Sequence, residues 1–145
     1  MKIKRTYFKK DIKYDVPNSP VGMDFRNMSP KQAKTYFEWF TSIINDRIEY
    51  MNKKYAEEMR IQSFKLDYSS DSLVLLWQWF LRISRLEKTS KEELKVMQEG
   101  AKIFGESFIN YEQFTVTTKM IMQDIGMYLG ECYVKKYNNL FWCYK

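Results

Sequence analysis

The chain has 145 residues, the length of one domain, and it contains no histidine. With 45% hydrophobic and 17% aromatic residues it has the composition of a folded protein rather than a disordered one. The lack of histidine excludes serine and cysteine nucleophiles activated by histidine, and also histidine-ligated metals. We therefore expect a non-enzymatic protein with no catalytic residue, no metal ligand and no cofactor site.

The positive charge is concentrated at the two ends of the chain. The formal net charge is +6; residues 1–20 carry six basic and two acidic side chains, and residues 135–145 carry three basic ones and no acidic one. The basic N-terminal residues are interleaved with aromatic ones, and such a segment can neutralise phosphates and stack on unpaired bases. A nucleic-acid-binding arm of this kind would use Lys2, Lys4, Arg5, Lys9 and Lys10.

The single domain is predicted to have two parts, a basic segment and loop at residues 1–28 and a helical domain at residues 29–145. Residues 2–8 fit either a helical face or an edge strand, and both interpretations stay open. Pro17 and Pro20 bracket two turn-forming residues, which predicts a loop.

The first helix is predicted to begin directly after Ser29. Ser29 can cap the helix, Pro30 suits its first position, and Gln32 completes a capping box. Apolar residues then recur with the 3.6-residue period of a helix that buries one face. The helix is expected to end near Arg60.

The second helix is predicted to begin at Ser69 or Ser70. Its segment from Leu73 to Leu81 is apolar on nearly all sides. Because a helix with this pattern belongs in the interior of a fold, we expect it to be the central element against which the others pack.

The third helix is predicted to begin with a capping box formed by Ser90 and Glu93. Glycine costs about 1 kcal/mol relative to alanine inside a helix, so Gly100 and Gly105 favour a kink or an early end near Gly105. A single apolar seam follows the box, made of Leu94, Met97, Ala101, Phe104 and Phe108.

The fourth helix is predicted to run from about Thr115 to Tyr137. Gly126 and Gly130 share one face of it and are expected to let a neighbouring helix come close. Its predicted buried side consists of Met120, Ile121, Ile125, Tyr128, Leu129 and Cys132.

Residues 140–145 have the composition of a β-strand. A lone strand is not stable, so this one would pair with the N-terminal segment, with another chain such as a second copy, or with residues beyond Lys145. The predicted fold is therefore mainly α, a bundle of about four helices around a central apolar helix, with a short C-terminal strand.

The acidic and cysteine residues of the fourth helix are predicted to be unreactive. Asp124 and Glu131 lie on one side of the helix, but a carboxylate-bridged metal pair would need histidine as well. Glu131 can pair with Lys135 one turn later, so we expect both carboxylates on a solvated face. Cys132 and Cys143 form no metal-binding or redox motif and are expected to be free thiols.

The aromatic C-terminal cluster is the feature that a monomer explains least. Aromatic residues are enriched at interface hot spots, and an unpaired strand can recruit another chain. Trp39 lies off the apolar stripe that contains Phe37 and Phe40, which favours a surface position. The candidate partner-binding residues are Trp39, Phe141, Trp142 and Tyr144.

No segment has the length and hydropathy of a membrane span, and no apolar stretch typical of a secretory signal follows the first residues. We therefore expect a cytoplasmic protein without a membrane partner.

The C-terminal region resembles part of a group of small uncharacterised bacterial proteins, some of them taken to be immunity proteins of polymorphic toxin systems. The resemblance rests on Gly-Met-Tyr-Leu-Gly-Glu at residues 126–131, followed by Leu140, Phe141 and Trp142. In that group a helix with this motif leads into a strand with a tryptophan, and further strands usually follow. The resemblance implies a protein that binds and neutralises a cognate toxin. A positive charge argues against a nuclease toxin, because inhibitors of basic nucleases are expected to be acidic.

The sequence therefore predicts a protein-interaction protein, specifically an inhibitor or immunity protein of a bacterial toxin. The alternative is a nucleic-acid-binding module that uses the basic N-terminal arm. We favour the first, because the body of the chain is neutral and shows no basic helical stripe.

Overall fold

A computed structural model of the chain describes residues 12–22 and 25–144. This part of the chain is mainly helical, with four α-helices and one two-stranded antiparallel sheet in which Leu86 pairs with Phe114. The elements are α1 (Pro30–Met59), α2 (Ser70–Ile83), β1 (Leu86–Lys88), α3 (Lys91–Phe104), a 3₁₀ turn (Glu106–Phe108), β2 (Glu112–Phe114) and α4 (Val116–Lys136). The predicted class and the four helices are confirmed; the sheet was not predicted.

The helices begin where the capping residues predicted. Ser29 accepts a hydrogen bond from the backbone N–H of Gln32, and the Gln32 side chain accepts one from the backbone N–H of Ser29. Ser90 and Glu93 form the same reciprocal pair at the start of α3. Gly105 ends α3 with φ +86°, a backbone conformation that glycine adopts without strain.

The core lies where α1 and α2 both pack against α4. The largest side chains that are fully buried come from these three helices, and α4 contributes the most of them. They are Met51, Leu76, Trp79, Ile121, Asp124, Met127 and Tyr128.

The central position expected for α2 is not confirmed. Leu76, Trp79 and Phe80 are buried against the rest of the fold, whereas Trp77 and Leu81 are about half exposed. Only one face of α2 meets α4, and α4 is the helix with neighbours on several sides. The helix is apolar on nearly all sides, but only one of its faces is buried, and the other is an exposed apolar surface.

The α4 prediction needs two corrections. Leu129, expected on the buried side, is exposed. Gly130 faces the indole of Trp142 rather than a neighbouring helix, and Gly126 has no atom within 4 Å of the position that a Cβ would take. The glycine pair therefore does not mark a helix contact, because the close approach at Gly130 is made by a single side chain.

The C-terminal strand expectation is wrong for residues 140–144, which are in neither a strand nor a helix. The turn at Asn138 and Asn139 is present, and the chain then runs back over α1. This segment is held by its aromatic side chains, which explains why its composition resembles a strand although its backbone joins no sheet. The predicted pairing of this segment with the N-terminal segment involves residues 1–11, which lie outside the described part of the chain.

The connection between α1 and α2 is fixed from both sides. The Asn52 side chain accepts a hydrogen bond from the Leu66 backbone and donates one to the Phe64 carbonyl oxygen, each at 3.0 Å. The hydroxyl oxygen of Tyr128 accepts a hydrogen bond from the backbone N–H of Tyr68 at 2.6 Å. Tyr68 has φ +62°, so α4 holds this connection in a backbone conformation that aromatic residues rarely adopt.

Candidate protein-interaction surface

The C-terminal segment lies against the first turns of α1. The Trp142 ring packs edge-on against Phe40, with ring centroids 5.6 Å apart, and the Tyr144 ring packs against Phe37 at 6.0 Å. The segment therefore runs antiparallel to α1. From Trp142 to Tyr144 the contact moves back along the helix from Phe40 to Phe37, which is about one turn. The Tyr144 hydroxyl donates a hydrogen bond to the Pro30 carbonyl oxygen at 3.0 Å.

Trp142 is positioned by α4 as well. Its indole ring occupies the space next to Gly130, where a Cβ atom would overlap the ring. The indole N–H donates a hydrogen bond to Glu131 Oε1 at 2.8 Å. Glu131 therefore does not form the predicted pair with Lys135; it orients the tryptophan instead.

A second group of rings extends from α1 to the residues before it. The Tyr36 ring lies 5.3 Å from Trp39, 5.1 Å from Phe25 and 6.2 Å from Phe40. Because Phe40 also contacts Trp142, the two groups are continuous. We call their sum the aromatic surface: Phe25, Tyr36, Phe37, Trp39, Phe40, Phe141, Trp142 and Tyr144.

The aromatic surface is half-buried at its four α1 residues, Tyr36, Phe37, Trp39 and Phe40, and more open to solvent at the others. Phe141 is 76% exposed and Phe25 61%, while Trp142 at 36% and Tyr144 at 42% bury one side of their rings and show the other. Burial raises the pKa of the Tyr36 hydroxyl. Contiguous exposed apolar groups of this kind mark interaction sites in other proteins.

Of the four residues predicted from the sequence, Trp39 and Trp142 are linked by ring contacts through Tyr36 and Phe40. Tyr144 forms a separate ring pair with Phe37, and Phe141 lies between Leu140 and Trp142 on the same segment. Phe25 and Tyr36 were missed. The available signal was Phe25 itself, a large aromatic residue in a loop directly before a helix cap, where nothing in the local pattern requires one.

The strongest polar cluster in the core contradicts the solvated position expected for Asp124. Asp124 is 1% exposed and forms a two-bond ion pair with Arg47, at 3.1 Å to Nε and 2.8 Å to Nη2. The Tyr14 hydroxyl donates to the same carboxylate at 2.5 Å. Arg47 also donates to the backbone carbonyl oxygen of Asp15 at 3.0 Å.

This cluster is saturated by its own members. Burial raises the pKa of Asp124, while the hydrogen bonds from Arg47 and Tyr14 oppose that change. Burial and the neighbouring carboxylate raise the pKa of Tyr14. With every group bonded to another, the cluster fastens residues 14 and 15 to α1 and α4, and it presents no group to a substrate.

The remaining candidates are the carboxylates, the thiols and the helices of the described residues. Residues 12–22 and 25–144 contain no group of three or more carboxylate or thiol side chains placed to hold a metal ion. None of their helices is both long and apolar enough to cross a membrane. Burial raises the pKa of the Cys132 thiol, whereas Cys143 is exposed.

The residues of the basic arm, Lys2, Lys4, Arg5, Lys9 and Lys10, lie outside the described part of the chain. Comparison with protein families, with curated proteins and with solved structures found no match.

Proposed function

We propose that the protein binds another protein through the aromatic surface and catalyses no reaction. The observation that carries this proposal is a group of aromatic rings, most of them fixed by internal contacts, that remain partly or largely exposed. Burying such rings in a partner contributes more binding free energy than most other interface contacts do, and tryptophan and tyrosine are enriched at hot spots for this reason.

Order before binding supports the proposal. Hydrogen bonds at Trp142 and Tyr144 hold these side chains in one arrangement, so less conformational entropy is lost when a partner covers them. A surface that merely tolerated exposed aromatic residues would need no such anchors.

The role that we propose is inhibition of a bacterial toxin, as an immunity protein does. The resemblance of residues 126–142 to such proteins supports it, because Gly130, Glu131 and Trp142 of that stretch make the contacts that shape the surface. An inhibitor acts by occupying the surface that its target needs, which requires a rigid interface and no catalytic group.

The competing role is nucleic-acid binding by the basic arm. The six basic side chains within residues 1–20 favour it. Binding of this kind falls steeply with salt, because counterions are released when phosphates are neutralised.

The two roles are separated by affinity capture from a lysate of the source cells at low and high salt, followed by identification of the bound material. The proposal predicts one protein retained at high salt by the wild type and by a variant lacking residues 1–11, which keeps the buried Tyr14, and lost by the correctly folded Trp39→Ala variant. Nucleic acid that is recovered only at low salt, and only when residues 1–11 are present, would overturn the proposal.

A further inference from the structure

The elements that carry the aromatic surface are basic. Residues 25–39 and 131–144 together contain five basic side chains against two acidic ones. The basic residues are Arg26, Lys31, Lys34, Lys135 and Lys136, and all five are exposed.

Both acidic side chains of these ranges are already engaged. Glu131 accepts the hydrogen bond from Trp142, and Glu38 pairs with Lys34 at 3.8 Å. The pair on α1 is weak because both side chains are about two-thirds exposed. Lys135 and Lys136 lie over the rings of Tyr68 and Tyr137, outside the aromatic surface. The positive charge on the elements that carry the surface rings therefore comes from Arg26, Lys31 and Lys34, and it favours a partner of negative charge.

The backbone of the C-terminal segment lacks a hydrogen-bonded partner in the part of the chain that the structure describes. No backbone hydrogen bond joins residues 141–144 to any other residue that the structure describes; the preceding Leu140 N–H donates to the Tyr137 carbonyl oxygen. The hydrogen bonds that hold residues 141–144 to described residues are donated by the side chains of Trp142 and Tyr144. A row of unpaired N–H and C=O groups can accept an added strand from another chain.

We propose, resting on the proposed function, that the aromatic surface binds an extended acidic segment of its partner, which pairs with the backbone of residues 141–144. Phe141 and the exposed faces of Trp142 and Tyr144 contact apolar side chains of that segment. Lys31 and Lys34 contact its carboxylates. Backbone pairing supplies affinity, and charge selects an acidic sequence and speeds encounter.

The experiment is selection from a random peptide library displayed on phage, with the whole protein as bait, followed by titration of a synthesised peptide. The proposal predicts selected peptides enriched in Asp and Glu with intervening apolar residues. It also predicts that replacing Glu by Gln in such a peptide weakens binding by about tenfold or more. Peptides that need Trp39 for binding but are neutral or basic would overturn this inference and leave the proposed function standing.

Charge reversal on α1 tests the same point from the protein side. The double variant Lys31→Glu, Lys34→Glu should bind the acidic peptide about tenfold or more weakly than the wild type. The control double variant Lys53→Glu, Lys95→Glu, at exposed positions on α1 and α3, should bind it as the wild type does. The first double variant should fold, because an acidic residue at position 31 favours the helix dipole and the Lys34–Glu38 pair that is lost is solvent-exposed and weak. Equal affinities for the two double variants would contradict the role of charge.

Backbone pairing is tested at Cys143, the position between the two anchored rings. Cys143→Pro removes the backbone N–H and should abolish peptide binding, while Cys143→Ala should bind as the wild type does. The indole N–H resonance of Trp142, unchanged in both variants, verifies that the segment stays docked. Retained binding by Cys143→Pro with this resonance in place would overturn strand pairing. Peptides that bind the wild type and the Trp39→Ala and Phe141→Ala variants equally would instead contradict the proposed function.

Discussion

Gly130 is where the absence of a side chain matters most. A Cβ atom at this position would overlap the Trp142 ring, whereas a Cβ at Gly126, one turn earlier, would meet no atom. Because a ring at the end of a side chain can move, we expect Gly130→Ala to displace Trp142 without unfolding the helices. The Trp142 indole N–H resonance should shift as its hydrogen bond to Glu131 is lost.

Gly126→Ala is the matched control for that prediction. It should leave the Trp142 resonance unchanged and stabilise the protein by up to about 1 kcal/mol, the difference between alanine and glycine in a helix. An unchanged Trp142 resonance in Gly130→Ala would show that the indole does not depend on the glycine.

Tyr128 joins α4 to the connection before α2. Its hydroxyl oxygen accepts the Tyr68 backbone N–H and lies 2.7 Å from the Ser72 hydroxyl. Tyr128→Phe removes these bonds and should lower the free energy of unfolding by about 1–3 kcal/mol. Tyr133→Phe, at an exposed position of the same helix, should change it little in urea denaturation.

The same residue predicts loss of stability in alkali. Burial raises the pKa of Tyr128 to about 12, from an ordinary value of 10.0. Because the folded state favours the protonated hydroxyl, this contribution is complete below pH 10.0 and is lost as pH rises through about 12. The free energy of unfolding should therefore decline over this range, and less so in Tyr128→Phe; identical declines would contradict the assignment.

At the scale of elements, the buried ion pair joins α1 to α4. Asp124→Asn removes the buried counter-charge of Arg47, which keeps only the exposed Asp15 carboxylate at 3.7 Å, and should cost about 3–5 kcal/mol of stability. Asp46→Asn, at an exposed position on α1, should stay within about 0.5 kcal/mol of the wild type. Thermal and urea denaturation followed by circular dichroism measure both; similar stability of the two variants would show that the pair does not join the helices.

The helices were predictable because their signals are local. The capping boxes at Ser29 and Ser90 and the glycine at 105 act within one turn of the chain, and the structure has them where the sequence predicts. The burial of Asp124 was not predictable in this way. Its partner Arg47 lies 77 residues away, and a single acidic residue on a helix gives no sign of which side will be buried.

The arrangement of the elements was harder still. The strands β1 and β2 have three residues each, too few for an alternating pattern to show. An apolar sequence around α2 indicates how much apolar surface it carries, not how many neighbours cover it. The choice of α4 as the helix with several neighbours is made by packing between distant segments, which no local pattern contains.

For the whole molecule, the sequence showed which aromatic residues are unusual, but it did not show that they lie together on one surface. Trp39 and the C-terminal rings were separately unusual, and only the fold places them together, since Tyr144 reaches Pro30 across 114 residues. The fold also changes which residue best tests the interface. Trp142 packs on Gly130 and Phe40 as well as facing solvent, so its removal would disturb the segment, whereas Phe141 is free to be changed.

The most direct measurement is therefore the affinity of the captured partner for Phe141→Ala, compared with the wild type and with Phe104→Ala. Phe104 is 69% exposed on α3, so the control removes a similar ring from a different surface. We expect Phe141→Ala to weaken binding by about tenfold or more, equivalent to 1.4 kcal/mol, and Phe104→Ala to bind as the wild type does. Loss of binding in Phe104→Ala with full affinity in Phe141→Ala would contradict the central claim.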